Sequence, residues 1–362
     1  MNRRALGLAL ALAWLPFAAA RGADMAAVRC EAVPEGSPAA GLDFHRPPPS
    51  DGPTPVDTRL HVIEITDIDV RNGHFQFQAE VDFAWCDPRL AFDAAEHGRE
   101  RLTFVGAGAL EKQTEMWNPD LAFANEVSGI QVRKRELTIR SDGRVRVRGL
   151  FSAHLAASYD LRRFPFDSQV LPIQVESFTW DEDVLVLRSD ADSVGIRQSF
   201  ELAEWEVGGV SSRTQRRLSN RGDRYFSRFE MNVAIERRSG YYVWKALLPL
   251  TLIVALSWTV FWIPEGLAGR IRLSATVLLT IVAYQFAIAA DLPKVSYINL
   301  LSAFTTFSFV TVALTVVLNI VVFQRHDRGD ETAVQRSDRI NRVLVPTLYL
   351  IGMLVIALAY LR

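Results

Sequence analysis

Four segments in the last third of the chain contain no Asp, Glu, Lys or Arg, and they constrain the fold more than any other feature. They cover residues 246–264, 273–290, 295–324 and 343–361. At about 1.5 Å per residue, each helix would be long enough to cross a hydrocarbon core of roughly 30 Å, the second only barely. We therefore expect a membrane domain over residues 241–362, with helices at about 243–264, 270–291, 295–324 and 339–361.

Charged residues indicate how these helices are oriented. The connections between the first and second segments and between the third and fourth contain seven Arg, whereas the remaining connection contains only Asp291 and Lys294. Because Lys and Arg concentrate in cytoplasmic loops, the Arg-rich connections are predicted to be cytoplasmic. Arg3 and Arg4 precede a short apolar run and then small residues, which predicts a signal peptide over residues 1–23, a short anchor helix being the alternative. Both patterns place the intervening region outside the cytoplasm.

The region before the membrane domain is typical of a β protein. Residues 24–57 contain seven of the 16 prolines and predict an extended or partly disordered arm. Residues 58–240 contain no long stretch of helical periodicity, but short alternating runs such as HFQFQAEVDF, separated by turn signals such as Asn72-Gly73. Many strands at this spacing predict a β-sandwich.

Composition excludes several functions. With 40 Lys and Arg against 41 Asp and Glu, the formal charge of −1 provides no basic field for nucleic acid. The six His show no metal-ligand spacing, and there is no phosphate loop or nucleophile elbow, so we expect no metal, no cofactor and no enzyme activity. Cys30 and Cys86 are the only cysteines, and an oxidising compartment would permit one disulfide or leave two free thiols.

Five motifs resemble one family. Residues 159–177, YDLRRFPFDSQVLPIQVES, closely resemble the signature loop of pentameric ligand-gated ion channels, which include the acetylcholine, GABA and glycine receptors of animals. Further matches follow in the order of the family: WCDPRL at 85–90, MWNPDLAFAN at 116–125, ERRSGYYVWKALLP at 236–249, and LLTIVAYQF with LPKVSY within 278–297. Ala157 and Leu171 stand where animal receptors have the loop cysteines, and the linker of residues 325–338 is short. Both differences resemble the bacterial branch of the family.

The resemblance implies an all-β extracellular, immunoglobulin-like sandwich followed by an all-α bundle of four transmembrane helices, assembled as a homopentamer in a lipid bilayer. The second helix then lines a pore. Independently of the resemblance, residues at steps of four and three share one face of that helix: Arg272, Thr276, Leu279, Ala283, Phe286 and Ala290. Packing inside a bundle is the alternative explanation for this stripe.

Arg272 suggests the selectivity of such a pore. An ionised Arg facing lipid near the bilayer centre is unfavourable by at least roughly 2.5 to 3.5 kcal/mol, so Arg272 is expected near the cytoplasmic mouth, facing water. The resemblance aligns Arg270 with a basic residue that points away from the pore, and Gly269 with a Glu of cation-conducting relatives. Five copies of Arg272 would favour anions, unless the side chain snorkels to lipid headgroups. Leu279 and Phe286 would form the closed gate by dewetting, although Phe286 could instead pack between helices.

The resemblance also implies a ligand site between neighbouring extracellular domains. Its residues here are Glu176, Phe178, Tyr225 and Phe226. Aromatic faces attract cationic amines and a carboxylate accepts their hydrogen bonds, so a small amine or amino acid is the expected agonist. An aromatic of the usual site falls at Ala122, Phe178 could belong to the core, and proton gating remains an alternative.

Coupling between the domains is assigned to the signature loop. Phe164, Pro165, Phe166 and Asp167 are expected to meet the connection that holds Pro293, Lys294 and Tyr297, with Arg237 and Asp167 as charge partners. Pro249 is expected to loosen the first span locally.

Together these features predict a homopentameric ligand-gated channel of a bacterial inner membrane, with its ligand domain in the periplasm. It would pass inorganic ions, with anions favoured, when an external small molecule binds. The alternatives are a cation-selective or proton-gated channel of the same fold, or a membrane sensor that does not conduct.

Overall fold

The computed structural model describes residue 30 and residues 43–190, 193–197, 202–218, 222–263, 267–291 and 295–361, without the side chains of 267, 268 and 289–291. A β-sandwich precedes four long helices, which confirms the expected fold class. The strands are β1 (Thr54–Asp69), β2 (His74–Cys86), β3 (Arg101–Val105), β4 (Leu121–Phe123), β5 (Glu126–Arg140), β6 (Arg144–Ala156), β7 (Ser168–Ser177), β8 (Leu185–Arg188), β9 (Val194–Ile196), β10 (Trp205–Leu218) and β11 (Tyr225–Arg237).

Two sheets form the sandwich. One has the order β3-β5-β6-β2-β1-β8, with β9 also paired to β1, and the other has the order β10-β11-β7-β4. The alternation in β2 explains the packing, because Phe75, Phe77 and Ala79 are buried while the residues between them are less so. Gly73 ends the β1–β2 turn with φ 73°, a conformation that glycine adopts without strain. Each sheet therefore presents one apolar face to the other.

The helices are α1 (Ala94–His97), α2 (Gly106–Thr114), α3 (Gly240–Trp262), α4 (Leu267–Asp291), α5 (Leu300–Asp327) and α6 (Glu331–Leu361). The first two are short and lie within the sandwich domain. The last four are long and apolar enough to cross a membrane.

Two long helices begin elsewhere than the sequence predicts. The apolar run starts at residue 295, but α5 begins at Leu300, because the Asn299 side chain accepts a hydrogen bond from the Ser302 amide and caps the helix. Conversely, α6 begins at Glu331 rather than at 339, with Asp330 accepting from the Ala333 amide. The linker expected over 325–338 is thereby reduced to three residues, and charged residues form the first turns of α6.

The arm is docked in the part that the structure describes. Strand β1 begins at Thr54, four residues before the predicted start of the sandwich domain. Arg89 donates hydrogen bonds to the backbone oxygens of Asp43 and Arg46, and its guanidinium pairs with the buried Asp87. A disulfide joins Cys30 to Cys86, with their Cα atoms 5.4 Å apart. The arm is thus held at the end of β2.

Candidate functional site

Helix α4 has one covered and one uncovered face. Ser274 is buried, and Val277 and Ile281 are buried in a cluster with residues of α3, α5 and α6: Leu250, Val254, Phe304, Val312 and Tyr349. The predicted stripe lies on the other face: Arg272, Thr276, Leu279, Ala283 and Phe286 are exposed. Leu279 and Phe286 are 71% and 75% exposed, values that a packed interior would not allow. The side chain of Ala290 lies outside the described residues.

Two arginines at the start of α4 have opposite environments. Arg270 is nearly buried, where it donates to Asp338 at 2.9 and 3.1 Å and to the Ile263 carbonyl at 2.7 and 2.9 Å. Arg272 is exposed and has no side-chain partner among the described residues. The charge of Arg270 is therefore neutralised within the chain, whereas that of Arg272 is directed outward.

Sequence reasoning did not identify Asp338. Asp338 is one of four acidic residues that alternate with five arginines over residues 325–342, a pattern that an ordinary solvated surface explains equally well. The partner lies 68 positions from Arg270, and the packing of α6 against the end of α3 accompanies their contact: Arg342 of α6 donates to the Phe261 carbonyl.

The interior of the helix bundle is polar at several positions. Asn319 Nδ2 of α5 donates to Ser274 Oγ of α4 at 3.0 Å, and the hydroxyls of Ser308 and Tyr349 lie 3.0 Å apart. All four residues are buried. These contacts link neighbouring helices by directional bonds, and the sequence analysis named none of them.

The C-terminal half of α4 is hydrogen-bonded to α3. A π-helical turn at Val243–Leu247 immediately precedes Leu248 and Pro249, where the sequence predicts a locally loosened helix. Pro249 has no amide proton to offer the Lys245 carbonyl, and the Tyr284 hydroxyl of α4 donates to that oxygen at 2.6 Å. A cavity of about 150 Å³ opens beside this contact, between Tyr242 and Ile288. The irregular backbone of α3 is thereby compensated by a hydrogen bond from α4.

The predicted ligand residues differ in exposure. Phe178 is 61% exposed, so it does not belong to the sandwich core, and Tyr225 is 40% exposed. Phe226 is buried, but it lies on the same face of β11 as Arg228 and Glu230 rather than on the face that forms the core. Of the two predicted aromatics on β11, only Tyr225 has an exposed side chain. The Arg216 guanidinium lies 3.8 Å from its ring centre, and Arg216 also pairs with Glu182.

Glu176 is already paired with a residue that the sequence analysis missed. Arg228 Nη2 and Nε donate to Glu176 Oε2 at 2.7 and 2.9 Å, and Arg228 Nη1 donates to Gln174 Oε1. Glu176 is buried on β7, and Arg228 lies opposite it on β11. The site therefore presents a carboxylate and a guanidinium side by side rather than an isolated negative charge.

The loops before β4 and after β7 are joined by hydrogen bonds. The Phe178 amide donates to the Asp120 carbonyl at 2.8 Å, and Trp180 Nε1 donates to the Asn118 carbonyl at 2.9 Å. Asp120 has φ 48°, an uncommon conformation for a residue with a side chain. Such conformations persist where surrounding contacts enforce them. The position of Phe178 is thus set by two loops.

A carboxyl group with an altered pKa lies elsewhere on the sandwich. Asp57 of β1 is half-buried opposite Arg188 of β8. Burial raises the pKa of Asp57, a second carboxylate at Asp190 adds to the increase, and Arg188 opposes it.

The predicted coupling residues meet at the junction of the two domains. Arg237 Nε donates to Asp167 Oδ1 at 2.8 Å, with the two side chains only 3% and 1% exposed. The Arg237 guanidinium also lies 4.0 Å from the Trp205 ring centre and 4.8 Å from that of Phe164. The pair is therefore nearly closed to water, and the exposed carboxylate of Glu204 lies 3.6 Å from Arg237 Nη1 at its edge.

The signature loop contacts the membrane domain through Tyr297. Its hydroxyl accepts a hydrogen bond from the Leu161 amide at 2.9 Å, and Arg162 stacks over its ring. The Arg162 carbonyl accepts from the Leu300 amide at the start of α5. Phe166 is exposed beside these contacts, and the Phe164–Pro165 peptide is cis. Pro293 and Lys294 lie outside the described residues.

Comparison with known proteins identifies the family. A model described as the neurotransmitter-gated ion-channel ligand binding domain matches residues 41–239, and a model of the corresponding transmembrane region matches residues 246–355. Over 354 residues the chain is 27% identical to the proton-gated ion channel of Gloeobacter violaceus, covering 96% of this chain and 94% of that protein.

Animal receptors are similar as well. The chain is 26% identical to the chicken gamma-aminobutyric acid receptor subunit beta-4, over 82% of this chain and 61% of the subunit. It is 27% identical to the glutamate-gated chloride channel of Drosophila melanogaster, over 71% of this chain and 56% of that protein. It thus spans less than two thirds of these two relatives. The two family models together match most of the chain, and they divide where the sandwich is followed by the helices. The chain therefore belongs to the pentameric ligand-gated channels of the neurotransmitter-gated ion-channel family.

Proposed function

We propose that this protein is a homopentameric, anion-selective channel of a bacterial inner membrane, opened by a small molecule that binds its periplasmic sandwich. The observation that carries the proposal is the contrast at the start of α4, where Arg270 is paired inside the bundle and Arg272 is exposed on the uncovered face. A ring of five unpaired guanidinium groups at a narrow mouth attracts anions and repels cations. Gly269 adds no opposing carboxylate.

The gate is assigned to the apolar residues on the same face. Leu279 and Phe286 are the most exposed large apolar side chains described on α4, and neither contacts the rest of its own chain extensively. In a ring of five chains they would face one another, and a constriction lined by such side chains stops ions by dewetting. Thr276, between Leu279 and Arg272, would form a hydrated ring.

Reversal potentials test the selectivity. In liposomes with a salt gradient, the wild type should reverse near the chloride potential, and Arg272→Ala should move the reversal potential towards that of sodium. Arg339→Gln removes an exposed Arg from α6 and should change nothing, which controls for total charge. A wild type that reverses near the sodium potential would contradict the proposal.

The ligand site favours a molecule that carries both charges. The carboxylate of Glu176 and the guanidinium of Arg228 lie together between two strands, with Phe178 and Tyr225 exposed nearby in sequence. An amino acid offers an ammonium group for the carboxylate and the aromatic faces, and a carboxylate for the guanidinium. Among simple amines and amino acids, we expect amino acids to open the channel at lower concentrations. Phe178→Ala should raise the required concentration, whereas Phe44→Ala, at an exposed ring of the arm, should not.

Proton gating is the second candidate. The relative from Gloeobacter is named a proton-gated channel and matches almost the whole of both chains. Burial raises the pKa of Asp57, which favours its protonation in acid. Acidification without added ligand distinguishes the two candidates, because currents that Asp57→Asn abolishes would favour protons over an amino acid.

A further inference from the structure

Two polar contacts hold the inner end of α4 against the other helices. One is the hydrogen bond from Asn319 Nδ2 to Ser274 Oγ, and the other is the ion pair between Arg270 and Asp338. Both lie on the covered side of α4. Arg270 precedes Arg272 by two residues, and Ser274 follows it by two.

The geometry of a helix relates these contacts to the direction in which the Arg272 side chain points. Ser274 follows Arg272 by two residues and therefore lies about 200° around the helix. If α4 turned by about 20°, a side chain at its surface, about 5–6 Å from the axis, would move by roughly 2 Å. Apolar packing at Val277 and Ile281 resists such a turn only weakly, since it has no preferred direction, whereas hydrogen bonds are directional.

Packing alone does not explain an asparagine at position 319. Its Oδ1 atom is buried without a hydrogen-bond partner among the described residues, although Nδ2 is satisfied. A leucine of similar size would fill the same space without burying an unsatisfied acceptor. The retained amide is thus explained by the direction of its bond to Ser274 rather than by its volume.

We infer that Asn319 is a positioning residue for ion selection. Through Ser274, and together with the Arg270–Asp338 pair, it sets the direction in which Arg272 and Thr276 face, without touching the ions itself. The inference rests on the proposed role of Arg272 in selectivity.

The ratio of chloride to sodium permeability, measured in liposomes with a salt gradient, tests this role. Asn319→Leu and Ser274→Ala should each lower the ratio by about threefold or more, which corresponds to a modest energetic coupling. The double variant should be no worse than either single variant, because both remove one bond. Thr315→Val is the matched control: Thr315 is buried one turn before Asn319, but its hydroxyl donates only to the Thr311 carbonyl of its own helix.

The same change in an Arg272→Ala background separates positioning from general damage. There, Asn319→Leu should have no further effect on the ratio, since the side chain that it positions is gone. An equal effect in both backgrounds, or no effect of Asn319→Leu and Ser274→Ala in the wild type, would overturn the inference. Ser274→Ala serves alone if Asn319→Leu does not assemble, as judged by size-exclusion chromatography.

A second readout does not depend on anion selectivity. The two cysteines of the chain are joined to each other, so Thr276→Cys introduces a single free thiol on the pore face. Adding Asn319→Leu should slow its reaction with a small charged thiol reagent by about threefold or more, while Thr315→Val should not. If the wild type proves cation-selective but this rate still depends on Asn319, the proposed function fails and the positioning role stands. An unchanged rate would count against the positioning role.

Discussion

Both domains bury apolar side chains, but the membrane domain also exposes many apolar side chains and links its helices through buried polar ones. In the sandwich, Phe77 and Trp85 are buried, while Arg148 is half-exposed on the outer face of its sheet. In the membrane domain, Ser308 and Asn319 are buried, while apolar side chains cover the outside: Trp244, Leu252, Leu350, Leu354 and Val355 are each more than half exposed.

The difference follows from the solvent around each domain. Water drives apolar side chains together in the sandwich, whereas lipid tails are as apolar as leucine and provide no such force between helices. The helices associate through close packing and hydrogen bonds instead. At Gly352 of α6, for example, any side chain would collide with the Phe307 ring of α5. One fold therefore contains two domains whose stability should respond differently to the same kind of substitution.

Truncation of a large apolar side chain should show the largest contrast. Phe77→Ala should destabilise the sandwich by about 3 to 5 kcal/mol, because it leaves a cavity in a closed core. Leu354→Ala, on an outward position of α6, should have an effect below about 1 kcal/mol, since lipid fills the space. Thermal unfolding in detergent or nanodiscs measures both. Similar losses for the two variants would contradict the contrast.

Loss of a charge partner at the junction should have the next largest effect. Asp167→Ala leaves the buried Arg237 guanidinium with the exposed carboxylate of Glu204, 3.6 Å away, as its remaining described charge partner, and should destabilise the protein by roughly 3 kcal/mol or more. Replacing both partners, as Asp167→Leu with Arg237→Met, should recover most of the melting temperature, because a buried apolar pair needs no desolvation. A double variant as unstable as Asp167→Ala would mean that the charge itself is needed.

Asp57 and Asp69 lie near the two ends of β1, and their contributions to the stability of the protein should be smaller. These contributions should change with pH in opposite directions. Backbone amides of Asn72 and Arg71 donate to Asp69 and lower its pKa, so its contribution to stability is present near neutral pH and is lost as the pH falls below about 4. Burial raises the pKa of Asp57, so its relative contribution is present in acid and is lost as the pH rises through the raised pKa.

Asn variants at these positions test the sign. Asp69→Asn should destabilise the protein at pH 7, by less than about 1 kcal/mol for a group so accessible to solvent, and the difference from the wild type should shrink as the pH falls below about 4. Asp57→Asn should be at least as stable as the wild type at pH 7, with its advantage shrinking in acid. Melting curves of both variants between about pH 2 and pH 7 measure this, and parallel trends would refute it.

Periodic features were predictable from the sequence. The four helices, the alternation in β2 and the stripe from Arg272 to Phe286 all follow from the spacing of side chains along one segment. Such spacing is set by the geometry of the backbone, which does not depend on distant residues. The resemblance of the signature loop added the pairing of Asp167 with Arg237, which the structure contains.

Helix boundaries and the partners of charged side chains were harder to predict from the sequence. The apolar run before Leu300 resembles the helix that follows it, and only the backbone at Asn299 distinguishes them. Arg228 and Asp338 lie 52 and 68 positions from the groups they contact, Glu176 and Arg270. No local pattern encodes those pairs, and the sequence analysis consequently treated Glu176 as available to a ligand.

The sequence by itself determined that the chain has two domains, which segments meet lipid, and which face of the second long helix differs from the rest. The tertiary structure decided that this face is left uncovered and that, among the residues it describes, Arg272 has no side-chain partner while Arg270 is neutralised. The physical reason is that hydrophobic periodicity acts within a few residues, whereas the pairing of charges depends on how whole helices and strands dock against one another.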